Sequence, residues 1–127
     1  MLRLSQEILI SGLRDWNSLW HVHEFAEDYV PDDFAENPMK TVISSLQELL
    51  EGGYARVGQL VMEGQKSYFV PWTHDRASAL AELRSEWTAV TNKRFGDPMP
   101  WLENTEKGNA EGRHLLSIRP PDPDADE

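Results

Sequence analysis

Apolar residues recur along this chain at helical spacing, then at alternate positions, then at helical spacing again. Leu4, Ile8 and Leu9 share one helical face and Ser11-Gly12 supplies a stop, so the spacing predicts a first short helix over 3–12. Leu19, Val22, Ala26 and Tyr29 then put one apolar stripe on a second helix, which Asp15, Asn17 or Ser18 can cap and Pro31 ends. A third helix has Asn37 as cap and Pro38 at its first position, where the missing N–H costs nothing. It carries Met39, Val42, Ile43, Leu46, Leu49 and Leu50 on one face, and Gly52-Gly53 stops it.

Beyond those glycines the period falls from about 3.6 to 2, the repeat of a strand. Tyr54 to Met62 and Lys66 to Trp72 are rich in β-branched and aromatic residues, with Glu63-Gly64-Gln65 between them, which predicts a β-hairpin. Thr73 or Asp75 opens a fourth helix with Leu80, Leu83, Trp87 and Val90 on one side and Lys93 and Arg94 near the negative end of its dipole; Gly96-Asp97-Pro98 closes it. Met99 to Leu116 shows little periodicity. It reads as an irregular segment packed back by Trp101, with at most a helical turn around Ala110 to Leu116. From Arg119 onward nothing apolar is large enough to anchor the chain, so the expected organisation is a single domain over 1–118 and a disordered acidic tail over 119–127.

Three helices followed by a two-stranded hairpin is the element order of a winged helix-turn-helix. The stretch Leu46-Gln47-Glu48-Leu49-Leu50-Glu51-Gly52-Gly53-Tyr54-Ala55-Arg56-Val57, then Gly64 and Tyr68-Phe69-Val70, resembles the segment of that superfamily that runs from its third helix through a glycine into the wing. The resemblance covers residues 3–72. It implies an α+β, winged-helix-like fold, with a fourth helix and an irregular C-terminal arm added, and it would make the third helix a recognition helix and the hairpin a wing. The chain also resembles small uncharacterised bacterial proteins with Tyr-Phe-Val-Pro-Trp at the end of the second strand, a likeness that brings no activity with it.

Length and composition agree with one domain: 127 residues, 39 % hydrophobic with five Trp, can bury a core. The absence of cysteine removes disulfides, thiolate metal sites and cysteine nucleophiles, and fits a reducing compartment. Ile8-Leu9-Ile10 is far short of a signal-peptide core or a membrane span, so no membrane association is expected and the cytoplasm is the default location.

Charge changes the picture most. The net charge is −10, and the excess lies in two base-free stretches, Glu24, Glu27, Asp28, Asp32, Asp33 and Glu36 in one and Asp122, Asp124, Asp126 and Glu127 in the other; the remaining twelve acids balance the twelve bases. A field of this sign attracts basic partners and repels phosphate backbones. The third helix offers only Lys40 between Pro38 and Glu51, and the hairpin adds Arg56 and Lys66, too few cations for ordinary nucleic-acid affinity.

No constellation identifies a reaction. His21 and His23 would point about 200° apart on a helix, so they cannot share a metal ion, and His74 and His114 are isolated. The pairs Glu24/Asp28 and Glu82/Glu86 are one turn apart but flank polar positions, which points to a solvated face rather than to the desolvated carboxyl that acid–base catalysis needs. Ser44-Ser45 has no nucleophile elbow around it, and Gly52-Gly53 is not a phosphate loop. Neither catalysis nor a cofactor nor a metal is expected.

Trp16 and Trp20 fall at i and i+4, off the Leu19 stripe. They either pack on the first or fourth helix or form an exposed aromatic patch beside the acidic run, the composition of a protein-binding hot spot. Trp72 and Trp101, each beside a proline, should clamp the C-terminal segment to the body. The expectation is therefore a non-catalytic module that binds a basic protein partner through Glu24, Glu27, Asp28, Asp32, Asp33, Glu36, Trp16 and Trp20. Its specific form is an immunity or antitoxin-like protein whose loop of six carboxylates, by mimicking phosphates, neutralises a nuclease toxin. A transcriptional regulator would need a basic surface assembled from Arg3, Arg14, Lys40, Arg56 and Lys66; a scaffold would homodimerise through Trp16 and Trp20.

Overall fold

A computed structural model of the chain describes residues 1–90 and 98–119. In order it runs α1 (Arg3–Ser11), β1 (Asn17–Ser18), α2 (Leu19–Tyr29), α3 (Pro31–Glu36), α4 (Pro38–Glu51), β2 (Ala55–Glu63), β3 (Lys66–Pro71), α5 (Arg76–Val90), β4 (Trp101–Asn104) and α6 (Glu106–Ile118). The class is α+β, as expected.

The helices form where side chains satisfy their ends. Ser18 Oγ accepts from the His21 N–H while His21 Nδ1 accepts from the Ser18 N–H, which starts α2. Asn37 Oδ1 accepts from the Lys40 N–H at the start of α4, with Pro38 at the first position. At the other end of α4, Gly53 adopts φ 72°, and the Tyr54 and Gly53 N–H groups return to the Leu49 and Leu50 carbonyls, the pattern in which a left-handed glycine ends a helix. Asp75 caps α5 by accepting from the Ser78 N–H, and that hydrogen bond holds its carboxyl below the usual range.

The sheet is antiparallel in the order β1-β4-β2-β3. β1 joins through Asn17↔Leu102 and Ser18↔Trp101, and β4 joins β2 from Ala55↔Asn104 to Gly58↔Trp101. β2 and β3 form the expected hairpin, Gly58↔Pro71 to Glu63↔Lys66, turning at Gly64 with φ 65°. The helices pack around a core that contains Leu4, Ile8, Leu9, Leu19, Val22, Ala26, Val42, Ile43, Leu46, Leu49, Leu83 and Trp87.

Four readings change. The stretch after Pro31 is a short helix rather than a loop, so four helices precede the hairpin: Pro31 stops α2 but is itself a good first residue for α3. Tyr29 does not continue the buried stripe and is 43 % exposed, with Arg3 over its ring. The segment after Met99 is regular, a strand followed by a 13-residue helix, α6. Finally, α2 begins at Leu19, so Trp16 precedes it and the two tryptophans share no helical face. Of the tail expected over 119–127, Arg119 is placed, paired with Glu7; its remaining residues, with Lys93, Arg94, Gly96 and Asp97, lie outside the described residues.

Candidate functional site

The six carboxylates of the acidic run are all exposed, Glu24, Glu27 and Asp28 on α2 and Asp32, Asp33 and Glu36 on α3. Asp32 and Asp33 occupy the first turn of α3, where the positive end of the helix favours them. Phe34 turns the other way and pins α3 to the body. Its ring meets His23 edge-on at 5.1 Å and Trp87 edge-on at 6.5 Å. The Thr41 hydroxyl donates to the Asp33 and Asn37 carbonyls, tying α3 to the start of α4.

His23 Nε2 lies 2.6 Å from Glu27 Oε1. The ring also stacks on Trp20, centroids 5.6 Å apart, so Trp20, which is 37 % exposed, flanks the acidic face. Trp16 does not. Its Nε1 donates to Glu103 Oε2 at 2.8 Å and its ring stacks on Phe69 at 6.2 Å, which commits it to the sheet rather than to a helix. Glu103 also binds Arg56 of β2, neutralising one of the cations a nucleic-acid surface would need.

Between the start of α1, α3 and α4 lies a groove of about 390 Å³. Arg3, Asp33, Glu36 and Lys40 line it, so cations border the acidic face. His21 and His23 diverge as helical geometry requires, His21 toward Trp101 at 5.8 Å and His23 toward α3. Among the described residues no group of three or more His, Asp or Glu is placed to hold a metal ion.

Sequence reasoning missed one buried charge. Glu7, 4 % exposed, receives Arg3 Nε at 3.0 Å and also pairs with Arg119, joining α1 to the end of α6. The i, i+4 spacing of Arg3 and Glu7 is visible in the sequence; the 112-residue separation of Glu7 and Arg119 carries no local signal. The cluster is structural, because both guanidinium groups are engaged by the one buried carboxylate.

The described helices include none long and apolar enough to cross a membrane. No protein-family model matches the chain, and neither a curated protein nor a solved structure shows significant similarity to it.

Proposed function

We propose that this protein is an acidic, non-catalytic protein-binding module of the immunity or antitoxin kind, acting in the cytoplasm on a basic effector such as a nuclease toxin. One observation carries the reading: Glu24, Asp28, Asp32, Asp33 and Glu36 are exposed on two consecutive helices and, among the described residues, have no ion-pair partner. Carboxylates left unpaired on a face anchored by Phe34 make the local potential strongly negative without moving far, which speeds encounter with a positive cleft. A nuclease has to present such a cleft to its substrate.

Residues 3–72 are read as winged-helix-like, with α4 in the place of the recognition helix and β2-β3 as the wing. The distribution of bases favours protein over DNA as the partner. On α4 the exposed polar positions are Lys40, Gln47 and Glu51, with Gln47 engaged by Glu51, while Arg3 and Arg56 are held by Glu7 and Glu103. That leaves few free cations for phosphate contacts.

The test is co-expression with the product of the adjacent gene. The expected result is a 1:1 complex of nanomolar affinity in which the effector's activity is lost. Duplex DNA should not be retained by this protein at about 150 mM salt. Sub-micromolar DNA affinity at that salt overturns the reading and makes the chain a winged-helix regulator.

A further inference from the structure

The hairpin β2-β3 runs past the end of β4. Pairing of β2 with β4 stops at Gly58, whereas pairing of β2 with β3 continues to Glu63. Beyond that point apolar side chains meet solvent: Val61 is 46 % exposed, Met62 64 %, Tyr68 45 % and Val70 47 %. β3 is also an edge strand, with β2 on one side and, among the described residues, no strand on the other. Proteins ordinarily blunt such an edge with charge, proline or a bulge. Here Lys66 and Pro71 stand at the two ends, and Ser67, Tyr68, Phe69 and Val70 between them are uncharged.

Hydrogen-bond parity fixes which backbone groups are free. The Trp72 N–H donates to the Val57 carbonyl at 2.9 Å, so position 72 faces β2. In an antiparallel pair alternate residues face the same neighbour, hence Val70, Tyr68 and Lys66 also face β2, and Ser67, Phe69 and Pro71 face outward. Pro71 has no N–H to offer. The outward groups are therefore the N–H and C=O of Ser67, those of Phe69, and the Pro71 carbonyl.

These groups are self-complementary. We propose that β3 pairs with β3 of a second copy of this chain, antiparallel about a two-fold axis at Tyr68, joining the two sheets edge to edge. Ser67 of each copy then exchanges both backbone hydrogen bonds with Phe69 of the other. Tyr68 meets its own counterpart at a non-hydrogen-bonded position, where the Cα atoms approach to about 4.5 Å, and Lys66 stands opposite Val70. A register centred one residue later, on Phe69, would set Ser67 against Pro71 and leave the Ser67 carbonyl without a donor. On the face shared by Tyr68, Val70 and Val61, the exposed apolar side chains of the two copies become contiguous.

The neutrality of this edge favours a second copy over a partner recognised by charge. A molecule of net charge −10 repels its like, and the acidic helix α2 starts at β1, the opposite edge of the sheet. The hairpin's own charges are matched, since Glu63 and Lys66 are cross-strand partners and Arg56 pairs with Glu103 of β4. A basic protein or a nucleic acid gains no charge attraction from this edge, whereas a copy gains four hydrogen bonds and apolar contact. One strand pair is a small interface, so a dissociation constant of about 10–500 µM is expected.

Sedimentation equilibrium of the full chain provides the first reading, and a monomeric mass at about 500 µM overturns the proposal. Charge variants test the register, because position 70 faces Lys66 of the other copy. Val70→Glu should tighten the dimer and Val70→Lys should weaken it, each about threefold. Equal weakening by both overturns the register. Since the chain has no cysteine, a single introduced thiol can cross-link only between copies. Tyr68→Cys should form a disulfide-linked dimer at least about tenfold faster than Met62→Cys, although Met62 is the more exposed position, because it lies one strand away from the edge. Equal rates would place the contact elsewhere, and unchanged circular dichroism confirms that each variant is folded.

Discussion

Gly108 lets the first turn of α6 lie directly on the backbone that leads into β2. A Cβ at this position would sit 1.8 Å from the Tyr54 carbonyl oxygen, the same oxygen that accepts from the Thr105 N–H at 3.0 Å. Around it, Thr105 donates to the Gly53 carbonyl and Lys107 to the Gly52 carbonyl, so the contact cannot slide. On an exposed helix, replacing glycine by alanine gains about 1 kcal/mol of helix propensity. Overlap with backbone reverses the sign: Gly108→Ala should lose about 2 to 3 kcal/mol, measured by urea denaturation. A neutral or stabilising result would show that α6 does not approach this closely. Gly112, one turn on, meets the Leu9 carbonyl at 2.9 Å in the same way. These two glycines also explain why α6 was not legible as a helix. Propensity counts them as breakers, and the buried residues of α6 are the glycines themselves, so there is no apolar stripe to read. Packing that depends on missing side chains leaves no hydrophobic signature.

At the scale of elements, legibility follows how much of an element's stability is local. α4 declares its start, its apolar face and its stop within 17 residues, and Val42, Ile43, Leu46 and Leu49 are buried as the periodicity predicts. Leu46 is fully buried in the core, so Leu46→Ala should cost about 2 to 5 kcal/mol in chemical denaturation, while a loss under about 0.5 kcal/mol would mean that this face is not packed. β1 and β4 are the opposite case. Two and four residues long, they exist through tertiary contacts: Asn17 Nδ2 donates to the Ile8 carbonyl and Asn104 Nδ2 to the Leu9 carbonyl, satisfying the open end of α1 from the sheet. No propensity marks such asparagines. α3 was hidden for another reason, because its six residues include three acids and bury nothing fully, and a helix that short owes its geometry to Phe34 and to the cap of α4. The acidic face was thus readable as charge but not as shape, and Trp16 was assigned to it only because helical spacing was extended three residues too far.

On the scale of the whole molecule, charge and sheet order divide the surface into two regions of different character. The acidic helices follow β1 at one edge of the sheet, and the neutral apolar hairpin forms the other. Binding of a basic effector and self-pairing need not compete, since they use different elements. The acidic face can be tested without knowing every contact it makes. Asp32 and Asp33 are exposed and, among the described residues, hold no ion pair, so reversing both to Lys should leave the fold intact and lower the melting temperature by about 2 to 8 °C, the cost of two cations at the positive end of α3. The variant changes the net charge from −10 to −6, two reversals of two units each. Association with a basic effector should then slow by about tenfold or more at low salt, with a smaller effect on dissociation, because exposed charges act mainly on encounter. Added salt should also matter less to the variant than to the parent, since there is less attraction left to screen within a Debye length of about 8 Å. Stopped-flow rates at two ionic strengths separate these outcomes. An association rate that is unchanged, with its salt dependence intact, would mean that the effector docks away from α3 and that the acidic run serves only to keep the protein dissolved.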